Sequence, residues 1–500
     1  MAHLRFRALA LAAALAVATG AASAAPLEIA VPASPAGLDP HITTAFATFE
    51  VINGTIYEGL TAIDQDLTVI PGLAESWTIS PDGKTYTFKL RSGVQFHDGS
   101  AMTADDVVAS IKRVQSKDIA SPLASRVAMV DSATAADPQT VVLTLNEPSA
   151  PLLGSLATIA IVPKAMEADK DTLQKAPDGT GPFKFEEWQP NSFIELARND
   201  AYWGGAAKLD GLKFNIVPES ATRQVGLVNG QFSLLPDLDP ATAAQLKDKP
   251  GIKLDETLEL AYTMVGMNVS KPPFDNEKAR QALNYALNRG EIIQAALFGA
   301  GVPAGPLSPA LKAWAVDTGQ FPCYQTDPQK AKDLLAEAGL TLPVEVTINV
   351  LPRQDIKDIA QVVQEEMNNA GFKVALNVQE LGQFVQDWKN SNFQLFASAN
   401  AGNVDPDDYF YRTFKTGGST NVFKYSNAEV DKLLDEARSS QDQATRKANY
   451  DELQSILACT GPIAHVAYAT LYSAMSDKLV GFHTRANRSL VTLKEAGLAQ

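Results

Sequence analysis

Residues 73–107 constrain the fold of this chain more than any other stretch of it. Residues 81–83, Pro-Asp-Gly, form a turn sequence, because proline fixes its own φ and glycine accepts a positive one. The next run alternates apolar and polar residues, which predicts a strand that pairs back across the turn. Thr103 followed by Asp106 resembles a capping box, so a helix is expected to begin there. The segment predicts a hairpin that leads into a helix, and by itself it indicates no function.

The first 24 residues are typical of a secretory signal peptide. Arg5 and Arg7 precede a short apolar run, and the residues that end at Ala24 fit an A-x-A cleavage site. We therefore predict cleavage near Ala24 and export to the periplasm. The alternative is a retained N-terminal anchor, for which the apolar run is short. No cysteine lies near the cleavage site, so a lipid-anchored form is not expected.

Composition limits the classes of partner. The formal net charge of −15 makes the chain a poor binder of nucleic acid or of anionic membranes. A hydrophobic content of 45% with 20% charged residues is typical of a globular protein and excludes wholesale disorder. At 500 residues the chain is long enough for more than one domain.

Two cysteines, Cys323 and Cys459, are present. An even number in an oxidising compartment allows one disulfide, which would stabilise a loop of that length by about 4–5 kcal/mol in the chain-entropy model. The alternative is a pair of buried free thiols. We favour the disulfide, because both cysteines lie in the same predicted domain.

The C-terminal half alternates helices and strands. Asp327 and Pro328 begin a helix with a clear apolar face, and Gly339 ends it. Residues 344–350 read as a strand, and another amphipathic helix follows and ends at Gly371. This alternation predicts an α/β domain with a largely parallel sheet.

Several sequence blocks along the chain resemble one known family. Besides residues 73–107, the blocks are Leu38-Asp39-Pro40, residues 56–60, Thr180-Gly181-Pro182-Phe183, residues 198–203, Lys271-Pro272-Pro273-Phe274, residues 280–283, residues 327–339 and residues 425–434. In this order and spacing they resemble the cluster C, family 5 extracytoplasmic solute-binding proteins, which are the dipeptide, oligopeptide and nickel receptors of ABC importers. The resemblance covers essentially the whole chain after the predicted signal peptide.

The resemblance implies an α/β protein with the periplasmic binding protein type 2 fold. It implies two lobes, an extra inserted subdomain, a cleft between the lobes, and a two-strand hinge near residues 262–268 and 464–468. The expected domains are a signal peptide (1–24), a discontinuous first lobe (25–62 plus 180–265 plus 466–500), the inserted subdomain (63–179) and a C-terminal α/β lobe (266–465).

Residues 401–410 lie where the family usually has a tryptophan and an aspartate. In the peptide receptors that aspartate holds the α-ammonium of the ligand, because a desolvated cation needs a paired carboxylate. Here Gly402 or Asn403 stands at the position of the aspartate, and no tryptophan precedes it. Asp405, or a carboxylate from elsewhere in the chain, is the candidate substitute. The alternative is that the acidic residues of this run form a solvated turn that caps the next helix.

Other ligand-binding candidates are arginines and residues in loops that approach the ligand in the family. Arg353 and Arg412 each offer a guanidinium to a ligand carboxylate, with a solvated surface position as the alternative. Asn421 lies in the family's N…YSN context, which faces the cleft. Thr44 offers a hydroxyl and Phe46 an apolar wall.

No catalytic fingerprint is present in the sequence, which lacks a G-x-S-x-G elbow, an H-E-x-x-H pair, a P-loop and a dinucleotide motif. The histidines after the signal peptide show no metal-ligand spacing. We therefore expect no enzyme activity, no metal and no cofactor.

The predicted function is that of a periplasmic receptor that captures di- or short peptides and delivers them to the permease of an ABC importer. An opine, a nickel chelate or another modified amino acid is the alternative ligand, and a secreted hydrolase or a ligand presenter for a chemoreceptor is the alternative function. The expected partners are the ligand and the permease subunits, with no nucleic acid, and the receptor is expected to be a monomer.

Overall fold

The computed structural model describes residues 25–499, and the predicted signal peptide lies outside the described residues. The strands in chain order are β1 (Leu27–Val31), β2 (Thr61–Ile63), β3 (Val69–Pro71), β4 (Ala74–Ile79), β5 (Thr85–Leu90), β6 (Val130–Asp137), β7 (Thr140–Leu145), β8 (Phe183–Gln189), β9 (Phe193–Arg198), β10 (Gly211–Ile216), β11 (Leu234–Leu238), β12 (Ile252–Met267), β13 (Gly301–Pro303), β14 (Val344–Val350), β15 (Phe372–Val378), β16 (Leu395–Asn400), β17 (Ile463–Ser476), β18 (Leu479–Val480) and β19 (Gly497–Leu498). The α-helices in chain order are α1 (Phe46–Ile52), α2 (Ala104–Gln115), α3 (Leu152–Leu156), α4 (Thr172–Lys175), α5 (Ser220–Val228), α6 (Pro240–Leu246), α7 (Glu277–Ala286), α8 (Arg289–Ala296), α9 (Pro328–Glu337), α10 (Gln354–Asn369), α11 (Leu381–Lys389), α12 (Asp407–Phe414), α13 (Ala428–Ser439) and α14 (Gln443–Thr460).

One large mixed sheet runs through the molecule in the order β15-β14-β16-β12-β17-β11-β1-β10-β9-β8, and β13 also pairs with β17. The antiparallel strands β12 and β17 lie in its middle. We call the side with β11, β1 and β8–β10 lobe 1, and the side with β14–β16 lobe 2. Each side has its own buried apolar core, around Phe214 in lobe 1 and around Ile348 in lobe 2. The predicted α/β class is confirmed.

A separate four-stranded antiparallel sheet, in the order β4-β5-β7-β6, packs with α2 around a third core that includes Tyr86 and Phe88. The predicted hairpin is confirmed by the pairing of Trp77 with Phe88. The predicted helix begins directly after Thr103, whose N–H donates to the Asp106 carboxylate at 2.7 Å. The exact domain boundaries stay a prediction.

The ladder between β12 and β17 is interrupted near its middle. Leu258 pairs with Thr470, and pairing resumes with Tyr262 opposite Tyr468, so residues 259–261 oppose a single residue of β17. Such a bulge bends a strand and redirects its side chains. It lies where the sheet passes from one lobe to the other.

A buried ion pair connects α2, which packs on the four-stranded sheet, to lobe 1. Arg113 on α2 donates to both carboxylate oxygens of Asp39 at 2.6 and 3.0 Å, and both side chains are fully buried. The backbone N–H of His41 donates to the same carboxylate. Burial and the Arg113 charge lower the pKa of His41 to about 4, so His41 is neutral at pH 7.

In lobe 2, Cys323 and Cys459 form a disulfide with Cα atoms 5.7 Å apart. It ties the segment before α9 to the end of α14. The bond closes a loop in which the two cysteines are 136 positions apart in sequence, which restricts the unfolded chain.

We predict that Asp39→Ala lowers the free energy of unfolding by about 3–5 kcal/mol, because it leaves the Arg113 charge buried without its partner. Urea unfolding followed by circular dichroism measures the change. Asp105→Ala is the matched control, since its pair with Lys164 is more than half exposed, and it should have little effect. An equal loss of unfolding free energy in both variants would show that the buried ion pair stabilises the fold no more than the exposed one does.

Candidate functional site

The lobe 1 wall of the candidate cleft contains the loop that leads into α1. Thr44 in this loop is exposed, and the Phe46 side chain is 37% exposed. The Arg488 guanidinium lies 5.2 Å from the centre of the Phe46 ring. Both predicted residues of this loop therefore lie on an accessible surface.

The Arg488 side chain connects the C-terminal segment of the chain to β11 and β12. Its Nε donates to Glu259 in the β12 bulge at 2.8 Å, and its Nη1 donates to Asp237 in β11 at 3.1 Å. Arg488 has a φ of +59°, which non-glycine residues adopt rarely. The guanidinium thus donates to two carboxylates from β11 and β12, which lie on either side of β17 in the sheet.

A small pocket, partly open to solvent, lies beside this cluster and is lined by Phe46, Glu50, Asp237 and Arg488 among other residues. Glu50 on α1 is only 2% exposed. Burial, and secondly the Asp237 charge, raise the pKa of Glu50 to about 8, although nearby arginines act in the opposite direction. Glu50 is therefore mostly protonated at pH 7.

The loop after β16 has no room for a side chain at Gly402. A Cβ there would collide with Tyr409 Oη and with the Leu260 carbonyl oxygen. The Tyr409 hydroxyl donates to that carbonyl at 2.8 Å, so this contact fills the space. The neighbouring Asn403 donates from Nδ2 to the Asp408 carboxylate at 2.5 Å. The backbone and Tyr409 therefore exclude a carboxylate side chain from position 402.

The acidic residues of this run form ion pairs within lobe 2. Asp405 accepts a hydrogen bond from Arg446 on α14 at 2.7 Å, and the Asp405 side chain is 14% exposed. Asp407 accepts two hydrogen bonds from Arg438 on α13 and is 3% exposed. Burial raises the pKa of Asp407 to about 6, and Arg438 opposes that shift. The alternative of a solvated turn is therefore wrong for Asp407, and Asp405 already has a cationic partner.

Arg412 on α12 lies between this loop and the crossing strands. Its Nη2 donates to Asn400 Oδ1 and to the Ala401 carbonyl oxygen, each at 3.2 Å. Asn400 in turn donates from Nδ2 to the Tyr262 hydroxyl of β12 at 2.9 Å. The guanidinium is half-buried and is held by neutral acceptors.

The remaining two predicted residues, Arg353 and Asn421, form hydrogen bonds with residues close to them in the sequence. Arg353 precedes α10, and its Nε and Nη2 donate to Asp355 at 2.6 and 2.7 Å on an exposed surface. Asn421 donates from Nδ2 to two backbone carbonyls and accepts from the Tyr425 N–H, so its amide shapes its own loop. The structure thus separates these two from Thr44 and Phe46, while Asn403, Asp405 and Arg412 share one region of lobe 2.

Lobe 2 also contains a pocket of about 140 Å³ that Asn400 helps to line. Its walls are mainly aromatic and aliphatic, with a few hydroxyls, and include Phe384, Trp388, Phe423 and Thr420. A mixed lining of this kind suits the side chain of a small ligand.

Asp237, Glu259 and Arg488 were missed by reasoning from the sequence. They are far apart along the chain and belong to no local pattern. Only the bulge in β12 and the return of the C-terminal segment to lobe 1 bring them together.

No helix within residues 25–499 is both long enough and apolar enough to cross a membrane. In the same part of the chain, no group of three or more His, Cys, Asp and Glu side chains is placed to hold a metal ion.

Comparisons with known proteins give one consistent result. The family model described as "Bacterial extracellular solute-binding proteins, family 5 Middle" matches residues 68–422. The Dipeptide-binding protein of Escherichia coli (strain K12) is 31% identical over 90% of each chain. Di/tripeptide-binding protein 1 of Pseudomonas aeruginosa (strain UCBPP-PA14) is 32% identical over 94% of each chain.

Solved structures agree over nearly the full length. HbpA2 from Haemophilus parasuis superposes with a TM-score of 0.85 at 28% identity, covering 95% of this chain and 100% of that one. DppA from Helicobacter pylori, in complex with the peptide STSA, gives a TM-score of 0.79 at 29% identity, covering 95% and 98%.

We predict that Gly402→Asp lowers the melting temperature markedly, since the new side chain must displace Tyr409 or the β12 backbone. Differential scanning fluorimetry measures the change. The matched control is Gly154→Ala, whose added Cβ lies at an ordinary 3.6 Å from Val404 in the same region, and it should be tolerated. A Gly402→Asp protein as stable as the control would show that the loop has another conformation.

Proposed function

Because the chain belongs to family 5 of the bacterial extracellular solute-binding proteins, we propose that it is the exported receptor of an ABC importer and captures short peptides between its two lobes. The family consists of substrate-binding transport proteins and not of enzymes. Its members are extracytoplasmic, and the signal-peptide pattern ending near Ala24 supports export of this chain.

The observation that carries the proposal is the pair of antiparallel strands β12 and β17 in the middle of the main sheet, through which the sheet passes from one lobe to the other. Lobe 1 presents Phe46 and Arg488, and lobe 2 presents the loop 400–412. Hinge closure of two such walls removes a small solute from water, and ligand favours closure only through tighter binding to the closed form. We propose that the closed receptor is the form that delivers the ligand to the permease.

The peptide class is supported by the relatives. The Escherichia coli and Pseudomonas aeruginosa proteins, which match over at least nine-tenths of each chain, are named for dipeptides and di- or tripeptides. The pocket behind Asn400 has room for one side chain of such a ligand.

We also propose that Arg412, and not Arg353, receives the carboxylate of the ligand. Arg412 donates its hydrogen bonds to neutral acceptors, and within residues 25–499 no carboxylate forms a direct ion pair with it, although the charge of Asp408 is near enough to interact with it. Arg353 already donates two hydrogen bonds to the Asp355 carboxylate, and its side chain is 54% exposed. A guanidinium that has no carboxylate partner gains more from a ligand carboxylate than one that must first give up its partner.

We predict that a tripeptide or dipeptide library raises the melting temperature, whereas opines and nickel chelates do not. A ligand at a hundredfold its dissociation constant stabilises the folded state by about 2.7 kcal/mol, which scanning fluorimetry detects. Mass spectrometry of the released ligand should recover intact peptides. A shift with an opine alone would contradict the peptide class, and recovery of cleaved peptides would indicate a hydrolase.

We predict that Arg412→Ala weakens binding of the tightest peptide by at least about tenfold, because a charge-assisted hydrogen bond is lost. Arg353→Ala is the matched control and should bind as the wild type does. Isothermal titration calorimetry gives both dissociation constants. Unchanged affinity in Arg412→Ala would remove this residue from the site.

A further inference from the structure

We propose that the subdomain formed by β4–β7, α2 and α3 moves with lobe 1 and stabilises the closed form of the receptor by docking on lobe 2. We call it the β4–β7 subdomain. Its docking contact on lobe 2 lies at α13 and at the segment that joins α13 to α14. The inference rests on the proposed function in one respect, since it assumes that the lobes open and close, and it assumes nothing about the class of ligand.

The β4–β7 subdomain is attached to lobe 1 by buried polar contacts. Arg113 on α2 forms the fully buried ion pair with Asp39. Ser121 Oγ donates to the His41 carbonyl oxygen at 2.5 Å, and both of these residues are buried. Separation would leave a buried charge without its partner, which is strongly unfavourable. The subdomain and lobe 1 therefore move together.

The same subdomain forms hydrogen bonds directly with lobe 2. Gln441, between α13 and α14, donates from Nε2 to the Tyr86 hydroxyl of β5 at 3.0 Å. That hydroxyl in turn donates to the Ser149 carbonyl oxygen at 2.9 Å. The N–H of the next residue, Ala150, donates to the carbonyl oxygen of Arg438 on α13 at 2.9 Å. Two hydrogen bonds thus join the subdomain to lobe 2.

The surfaces that meet here are polar and incompletely packed. A cavity of about 330 Å³ lies beside the hydrogen bonds, and its lining includes Ala150 and Leu153 from the subdomain and Trp314 and Gln443 from lobe 2. Interiors that stay packed contain few voids larger than a water molecule. Small polar interfaces between domains permit relative motion, so this contact has the character of one that forms and breaks.

Opening of the lobes would break both hydrogen bonds. A rotation about β12 and β17 carries the subdomain with lobe 1 away from α13 and α14. A hydrogen bond is lost once the donor and acceptor atoms are more than about 3.5 Å apart. The side chain of Gln441 and the hydroxyl of Tyr86 then bond to water instead, so each interlobe hydrogen bond favours the closed form by its modest net value.

Arg438 connects the docking contact to the candidate site. Its backbone carbonyl accepts the Ala150 N–H, and its guanidinium donates to the two Asp407 carboxylate oxygens at 3.0 and 2.5 Å. Asp407 is the first residue of α12, which carries Arg412. Docking of the subdomain and binding of a ligand carboxylate at Arg412 therefore both involve the helix pair α12 and α13.

The test measures the distance between the subdomain and lobe 2 in the ligand-free, full-length exported protein. Spin labels at Asp131→Cys on β6 and Lys432→Cys on α13 occupy exposed positions, one on the subdomain and one on lobe 2. Pulsed electron–electron resonance gives the distance distribution. Wild type should show a docked population, at the separation found in the structure, and an undocked population at longer distance.

The ratio of docked to undocked protein should fall about fivefold in Gln441→Ala and in Tyr86→Phe, because each variant loses the hydrogen bond between these two side chains. Gln443→Ala is the matched control and should keep the wild-type ratio. Gln443 is exposed and lines the same cavity, and within residues 25–499 its side chain makes no hydrogen bond. Thermal unfolding establishes that each variant is folded.

Peptide binding gives a second measurement. When the closed form is the minor form of the ligand-free protein, a fall in its fraction weakens the apparent affinity by the same factor. Isothermal titration calorimetry with the tightest peptide should then give a dissociation constant about fivefold higher for Gln441→Ala and an unchanged one for Gln443→Ala.

A wild type without a docked population, or a ratio that stays the same in Gln441→Ala and Tyr86→Phe, would overturn this inference. An equal fall in Gln443→Ala would overturn it as well, because the hydrogen bond would then not be the cause. The distance measurement needs no ligand, so failure of every peptide to bind would count against the proposed function and leave this test decisive.

Discussion

The pairing of β12 with β17 is the constraint on which the rest of the structure depends. The main sheet passes from lobe 2 to lobe 1 through these two antiparallel strands, and each lobe packs its own core around its share of the sheet. The lobes are therefore joined at the middle of one sheet by these two strands, while Phe214 and Ile348 lie in different apolar cores. A rotation of one lobe against the other about such strands is a hinge closure.

The bulge at residues 259–261 also places hydrogen-bonding groups at the junction of the two lobes. Because the ladder is interrupted there, the Leu260 N–H donates to the Ala486 carbonyl, and the Leu260 carbonyl accepts from Tyr409. The adjacent Glu259 carboxylate holds Arg488. One bulge thus brings the C-terminal segment, the loop of lobe 2 and the hinge strand together. The contact that excludes a side chain at Gly402 lies one residue away from Glu259.

Local signals made much of the fold predictable from the sequence. The hairpin around residues 81–83, the start of α2 after Thr103 and the helix that begins at Pro328 were all set by turn, cap and periodicity patterns within a few residues. The site was less predictable, because its partners come from distant parts of the chain. Asp407 looked like a solvated cap, yet the docking of α13 buries it against Arg438. No sequence pattern could indicate that residues 237, 259 and 488 meet.

The central claim, that ligand closes the two lobes about the β12–β17 pair, is tested most directly by a distance measurement across the cleft. Spin labels at Glu186→Cys on β8 and Lys373→Cys on β15 mark exposed positions at the two ends of the main sheet, and the native cysteines are joined in a disulfide. Pulsed electron–electron resonance should show a shorter and narrower distance distribution when the peptide library is added. An unchanged distribution with bound peptide present would contradict the account.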